Sequence, residues 1–192
     1  MDFRKDLSHL GWGEVKRKQL QRASLADEWI QLVQMRRGST VLDIGTGPGV
    51  FTLLYAQVVG DEGVIYAVDQ SKEALLSLLD GVEGKLNNIV PFCKNAEDAL
   101  DGIGTVEIVM LTDVLHHADT PAAIIQNAYQ HIDESGYVLI AEFDSECEGL
   151  IGPPLVHRIP QEEVRNIVQS VGFQVVKEGK QDYEHYYLLL RK

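Results

Sequence analysis

At 192 residues, with 45% apolar and 24% charged side chains, the chain has the composition of one globular domain with a full core. Its formal net charge of −12 repels phosphate backbones and argues against DNA or RNA as substrate. No apolar run approaches the ~18 residues of a membrane span, the charged start MDFRKDLSHL lacks the apolar stretch of a signal peptide, and two cysteines, Cys93 and Cys147, are too few for a disulfide framework. A cytoplasmic setting follows as the expectation.

Residues 1–38 read mostly as helix, with Leu25, Trp29, Leu32 and Val33 at helical spacing and Gly38 marking the end. The basic run EVKRKQLQR (14–22) reads as the solvated face of that helix. The pattern then alternates. TVLDI (40–44) is a short apolar strand; VFTLLYAQVVG (50–60) puts Phe51, Leu54, Tyr55 and Val58 on one helical face, with Gly60 as its stop. GVIYAVD (63–69) is a second strand, followed by the helix SKEALLSLLD (71–80) with Ser71 as N-cap. NIVPFC (88–93) is a third strand, confined by Pro91 to an edge or an irregular place, and VEIVML (106–111) is a fourth. TPAAIIQNAYQHI (120–132) starts a helix at Pro121, GYVLIAEF (136–143) is a fifth strand, and PQEEVRNIVQSVG (160–172) is a helix closed by Gly172. FQVVKEG and YEHYYLLLRK follow with no helix between them, which predicts a hairpin.

This alternation predicts a doubly wound α/β fold, a mostly parallel sheet with helices on both faces and one antiparallel strand near its end. Ligands of such sheets bind beyond the carboxyl ends of the strands. That rule places Asp43, Asp69, Asn95, Thr112 and Glu142 along one rim. In DIGTGPG, Gly45, Gly47 and Gly49 let the backbone approach a ligand just where a helix starts, and Pro48 suits its first turn. Asp69 ends the next strand, where a carboxylate can accept both hydroxyls of a ribose. Loop and acid together predict a nucleoside-containing cofactor. A dinucleotide is disfavoured, because Val50 stands where its third glycine belongs, and because Asp43 would repel a pyrophosphate but attract an ammonium or sulfonium.

VLDIGTGPG, YAVDQS, NAED, VMLTDVLHH and ESGYVLIAEF follow the order and spacing of the class I S-adenosylmethionine-dependent methyltransferases, and residues 38–192 resemble that family. The likeness is nearest to the small-molecule group of ubiquinone/menaquinone-biosynthesis-type enzymes. It implies a seven-stranded sheet with an antiparallel last strand. It implies S-adenosyl-L-methionine as cofactor: Gly45, Thr46, Gly47 and Gly49 around the methionine portion, Asp43 towards its amino group, Asp69 on the ribose, Gln70 along the adenine, Asn95, Ala96 and Glu97 at the adenine edge, and Thr112 offering a carbonyl near the amine. The chain is then one methyltransferase domain, with 39–192 as cofactor-binding core and 1–38 contributing to the substrate side.

Methyl transfer from a sulfonium requires alignment, exclusion of water and, for some acceptors, removal of a proton. His117, in LHH (115–117) after the fourth strand, is the candidate base or substrate binder. A catechol-type Mg²⁺ site would draw on Asp113 with Glu142 or Asp144, but the local pattern favours a metal-independent enzyme. The acceptor is expected to be a small molecule, met by residues 1–30 and by DSECEGLIGPPLVHRI (144–159), with Trp12, Phe143, His157 and Arg158 as candidate pocket walls. The alternative is a regulatory module that binds S-adenosylmethionine without transferring its methyl group. A homodimer is left open.

Overall fold

The computed structural model describes residues 10–82 and 87–192; the helical reading of residues 1–9 lies outside them. Seven strands form one sheet: β1 Thr40–Ile44, β2 Val64–Asp69, β3 Ile89–Cys93, β4 Val106–Thr112, β5 Ile132–Phe143, β6 Gln174–Gln181 and β7 His185–Arg191, in the order β3-β2-β1-β4-β5-β7-β6. Neighbours pair parallel except at β7, which runs antiparallel to both β5 and β6. The doubly wound sheet and its closing hairpin therefore stand as expected, and Pro91 lies in an edge strand, where its missing N–H costs no central ladder bond.

Both faces of the sheet are buried, which is why its inner strands read as continuous apolar runs. Leu42, Ile44, Val109, Leu111, Leu188 and Leu190 point to one face, beneath α5 (Pro121–His131) and α6 (Gln161–Val171). Val41, Ile108, Met110, Leu139 and Leu189 point to the other, beneath α2 (Leu25–Leu32) and α3 (Val50–Val59). The period of two along each strand fixes the register, since a slip of one residue would exchange the faces. α4 (Lys72–Val82) packs Leu75 and Leu78 on Ala67, and the Ser71 hydroxyl caps it by accepting the Ala74 amide at 3.2 Å.

Three boundaries differ from expectation. The N-terminal region is two helices, α1 (Trp12–Gln21) and α2, broken at residues 22–24. α3 starts at Val50, so Pro48 lies in the loop before its cap rather than in its first turn. β5 begins at Ile132 through the polar stretch DESG, and its pairing with β4 is irregular between Val106 and Ile108. No helix among the described residues is long and apolar enough to cross a membrane.

Candidate functional site

The strand order reverses between β1 and β4, and beyond the carboxyl ends there lies a cavity of about 680 Å³, within the range that holds drug-sized ligands. Gly45, Gly47, Asp69, Gln70, Asn95, Ala96, Glu97 and His117 line it, as do Trp12 and Phe143. Asp43, Thr46, Gly49 and Thr112 do not; they stand behind the wall.

The glycine loop separates into two kinds of position. A Cβ on Gly47 would sit 3.4 Å from Gln19 Nε2 and 4.0 Å from the Trp12 ring, filling the space between the loop and α1. A Cβ on Gly49 would instead lie 2.2 Å from Leu78, and Gly49 adopts a left-handed φ of 85°. The first glycine keeps the cavity open; the second lets α4 approach the start of α3. Asp69 braces this loop from β2. Its Oδ2 accepts the Gly47 amide and its Oδ1 the Ser71 amide, each at 2.8 Å. Each oxygen thus keeps a lone pair for a ligand hydroxyl.

Asp43 is buried beneath the loop, where its Oδ2 accepts the Thr52 hydroxyl at 2.7 Å. Burial, eased by that hydrogen bond and reinforced by the Asp69 charge, pushes its carboxyl up to about 7. A group bound more tightly to its proton in the folded chain contributes stability at low pH and loses it as pH rises through the folded value. From about pH 5 to about pH 8, Asp43 is therefore expected to remove roughly 2 kcal/mol of stability. Urea unfolding at the two pH values checks this: Asp43→Asn should lack that share of the slope, and identical slopes would contradict it.

The segment at the third strand tip is held by its own side chains. Asn95 Oδ1 accepts the Glu97 amide at 3.0 Å, forming a tight polar turn, and Asn127 of α5 donates to the Ala96 and Asp98 carbonyls at 2.8 and 2.7 Å. The Glu97 carboxylate accepts the amides of Asp119 and Thr120 at 2.9 and 3.0 Å, just before α5, where a negative charge suits a helix N-terminus. Its oxygens thus serve the protein as well as facing the cavity.

Beyond β4 the arrangement departs most from expectation. Arg22, read as part of a solvated basic face, turns inward at the break after α1, as does Gln19 one turn earlier. Arg22 Nη2 lies 2.6 Å from Asp113 Oδ2, and its guanidinium stands 4.9 Å from the centre of the Phe143 ring. The other Asp113 oxygen meets His185 Nε2 at 2.8 Å. Burial opposes ionisation of Asp113, but Arg22 and His185 outweigh it and hold the carboxyl well below the usual range. Asp113 adopts a left-handed φ of 56°, a conformation aspartate tolerates better than most residues.

Next to it, Glu142 of β5 is fully buried. Its Oε1 accepts the amides of Val114 and Leu115 at 2.8 and 2.5 Å, and its Oε2 meets His116 Nδ1 at 2.6 Å. Burial disfavours the charged imidazole, yet Glu142 and then Asp113 raise His116 above its ordinary value. His116 lines the cavity with its ring 4.0 Å from that of His117. Sequence reasoning singled out only the second histidine of the pair, although a strand-end glutamate facing two adjacent histidines was the available signal.

Two proposed wall residues are placed elsewhere. Arg158 is a buried strut: it donates to the carbonyls of Pro153 and Asp144 at 3.0 and 2.7 Å and to that of Ile151, and pairs with Glu184 at 2.7 Å. It thereby shapes the loop whose Gly152, Pro153 and Pro154 face the cavity. His157 is exposed and off the wall. The acids considered for Mg²⁺ are held by protein partners, Asp113 and Glu142 as above and Asp144 by Lys180 at 2.7 Å.

Residues 17–178 match a family model described as a methyltransferase domain. Over 143 residues the chain is 29% identical to ribosomal protein L11 methyltransferase of Streptococcus pneumoniae, covering 72% of this chain and 38% of that protein. Over 67 residues it is 37% identical to the probable cobalt-precorrin-6B C(15)-methyltransferase (decarboxylating) of Sulfurisphaera tokodaii, covering 34% of this chain and 35% of that protein. The chain thus spans well under half the length of the curated relatives it matches. A similar solved structure, a SAM-dependent methyltransferase from Aquifex aeolicus, superposes with a TM-score of 0.84 at 20% identity, covering 94% of this chain and 98% of that one.

Proposed function

The chain belongs to the methyltransferase-domain family, and from that premise we propose that it transfers a methyl group from S-adenosylmethionine to a small-molecule acceptor. The observation that carries this reading is the Asp69 carboxylate, fixed in the cavity wall by the Gly47 and Ser71 amides with acceptor capacity to spare. Ribose hydroxyls would use that capacity, the open space over Gly47 would admit the methionine portion, and Gln70, Asn95 and Ala96 would flank the adenine. Asp43, Thr46, Gly49 and Thr112 would act by shaping the loop from behind. The bound cofactor supplies an electrophilic methyl group on a positive sulfur.

The acceptor side is closed by α1 through Trp12, Val15 and Arg22 and by Phe143, Pro153 and Pro154. Apolar and aromatic walls beside one histidine pair suit a compact, partly planar molecule. The net charge of −12 argues against a nucleic-acid acceptor. Calorimetric titration with S-adenosylmethionine and S-adenosylhomocysteine is the direct test, and both are expected to bind. Asp69→Ala should weaken binding by about 1.5–3 kcal/mol, the scale of hydrogen bonds to a charged group. An unchanged affinity would remove Asp69 from the ribose.

A further inference from the structure

We infer that His116, positioned by Glu142, is the base that takes a hydroxyl proton from the acceptor, and that the acceptor is a small molecule bearing a phenol or enol. This rests on the methyl-transfer reading above. Glu142 cannot turn away from the ring, because its other oxygen is held by two backbone amides. Its grip on Nδ1 at 2.6 Å places the proton of the neutral ring there and leaves the lone pair on Nε2. Among the described residues no protein group bonds Nε2, and the ring stands on the cavity wall.

The choice of acceptor follows from what needs such a base. A carboxylate arrives already ionised, and an amine attacks with its own lone pair and sheds its proton afterwards. A weakly acidic hydroxyl gains most from proton removal during attack. As the hydroxyl oxygen bonds to the methyl carbon, its proton passes to His116 Nε2 and the C–S electron pair remains on the departing sulfur. The resulting imidazolium sits against Glu142. Among the described residues, the charged groups facing the ring are Glu142 from β5, Asp113 after β4 and Arg22 after α1, with His117 beside it. Two carboxylates against one guanidinium favour the protonated ring and so strengthen the base.

Two measurements test this. Nitrogen-15 NMR of the protein alone should show the neutral His116 ring protonated at Nδ1, and Glu142→Gln, which turns an amide N–H₂ towards that nitrogen, should reverse the tautomer. An Nε2-protonated ring in the unaltered protein would overturn the proposal whether or not the variant folds. Methyl transfer is then followed with catechol, 1,4-dihydroxynaphthalene and 4-nitrophenol, with aniline as the amine control. His116→Gln should bind S-adenosylhomocysteine as before but transfer to the un-ionised phenols about 10²- to 10⁴-fold more slowly. Transfer to 4-nitrophenol above its own ionisation should be far less affected. Equal losses on all phenols, or transfer to aniline alone, would sink the assignment. If S-adenosylhomocysteine fails to bind the unaltered protein, the transferase reading falls; if it binds and the phenols behave otherwise, only the role of His116 falls.

Discussion

Replacing Asp113 by alanine is expected to remove about 3–5 kcal/mol of stability, the cost of stranding one partner of a buried ion pair. The carboxylate holds Arg22 at 2.6 Å and His185 at 2.8 Å, and the side chains of Arg22 and Asp113 are only 11% and 10% exposed. Water and salt therefore screen little of the interaction. Removing it leaves a guanidinium packed over Phe143 without its anion, and it forces alanine into a left-handed conformation that aspartate tolerates. Asp113→Asn separates these effects, since it preserves shape and backbone preference but discards the charge. The depressed folded value means that the carboxylate stabilises fully above its unfolded value of about 4, and that this contribution shrinks steadily as pH falls from there towards the folded value. The gap between the parent and Asp113→Asn should accordingly narrow in acid. Urea unfolding with an unchanged denaturant slope is the measurement; a loss below ~1 kcal/mol for alanine would mean that the pair is solvated and of little consequence.

Gly49→Ala should cost about 2–5 kcal/mol and should act on folding rather than on the ligand. A left-handed residue with a Cβ loses about 1–2 kcal/mol, and forcing a methyl group against a packed neighbour adds about 1–3 kcal/mol. Here the neighbour is Leu78, whose Cδ1, Cβ and Cγ would lie at 2.2, 2.8 and 2.9 Å, and which is itself completely buried. Since Gly49 lies off the cavity wall, S-adenosylhomocysteine affinity at a temperature where the variant is folded should change little. A variant of normal stability and lost affinity would return Gly49 to the ligand.

That distinction marks where the sequence stopped being informative. Strand and helix positions were legible because their periods of two and 3.6 differ, and a mostly parallel sheet with one antiparallel strand near its end followed from the alternation and the terminal hairpin. Gly47 and Asp69 were legible as a pair because loop and acid occupy fixed places on neighbouring strand tips. Gly49 was not separable from Gly47, since its reason lies in Leu78, on the next helix. Arg22 was hidden by its surroundings: in a run of basic residues, only the helix break decides which one turns inward. Of the two adjacent histidines the sequence reading chose His117, and the contact that distinguishes His116 comes from Glu142, 26 residues downstream of it. Arg158 was misread for a related reason, because a long cation in a loop serves solvent or interior according to carbonyls that no local pattern reveals.

The interleaving of β7 between β5 and β6 imposes an order on the assembly of the sheet. β6 precedes β7 in the chain, yet among the described residues its one neighbour in the sheet is β7, so it cannot join the sheet until residues 185–191 have paired with β5. β5 meanwhile presents an unpaired flank of apolar residues, the kind of edge that recruits other nascent chains. β7 is thus the keystone: without it the sheet ends at β5, and the apolar flank that β7 covers in the folded molecule stays open.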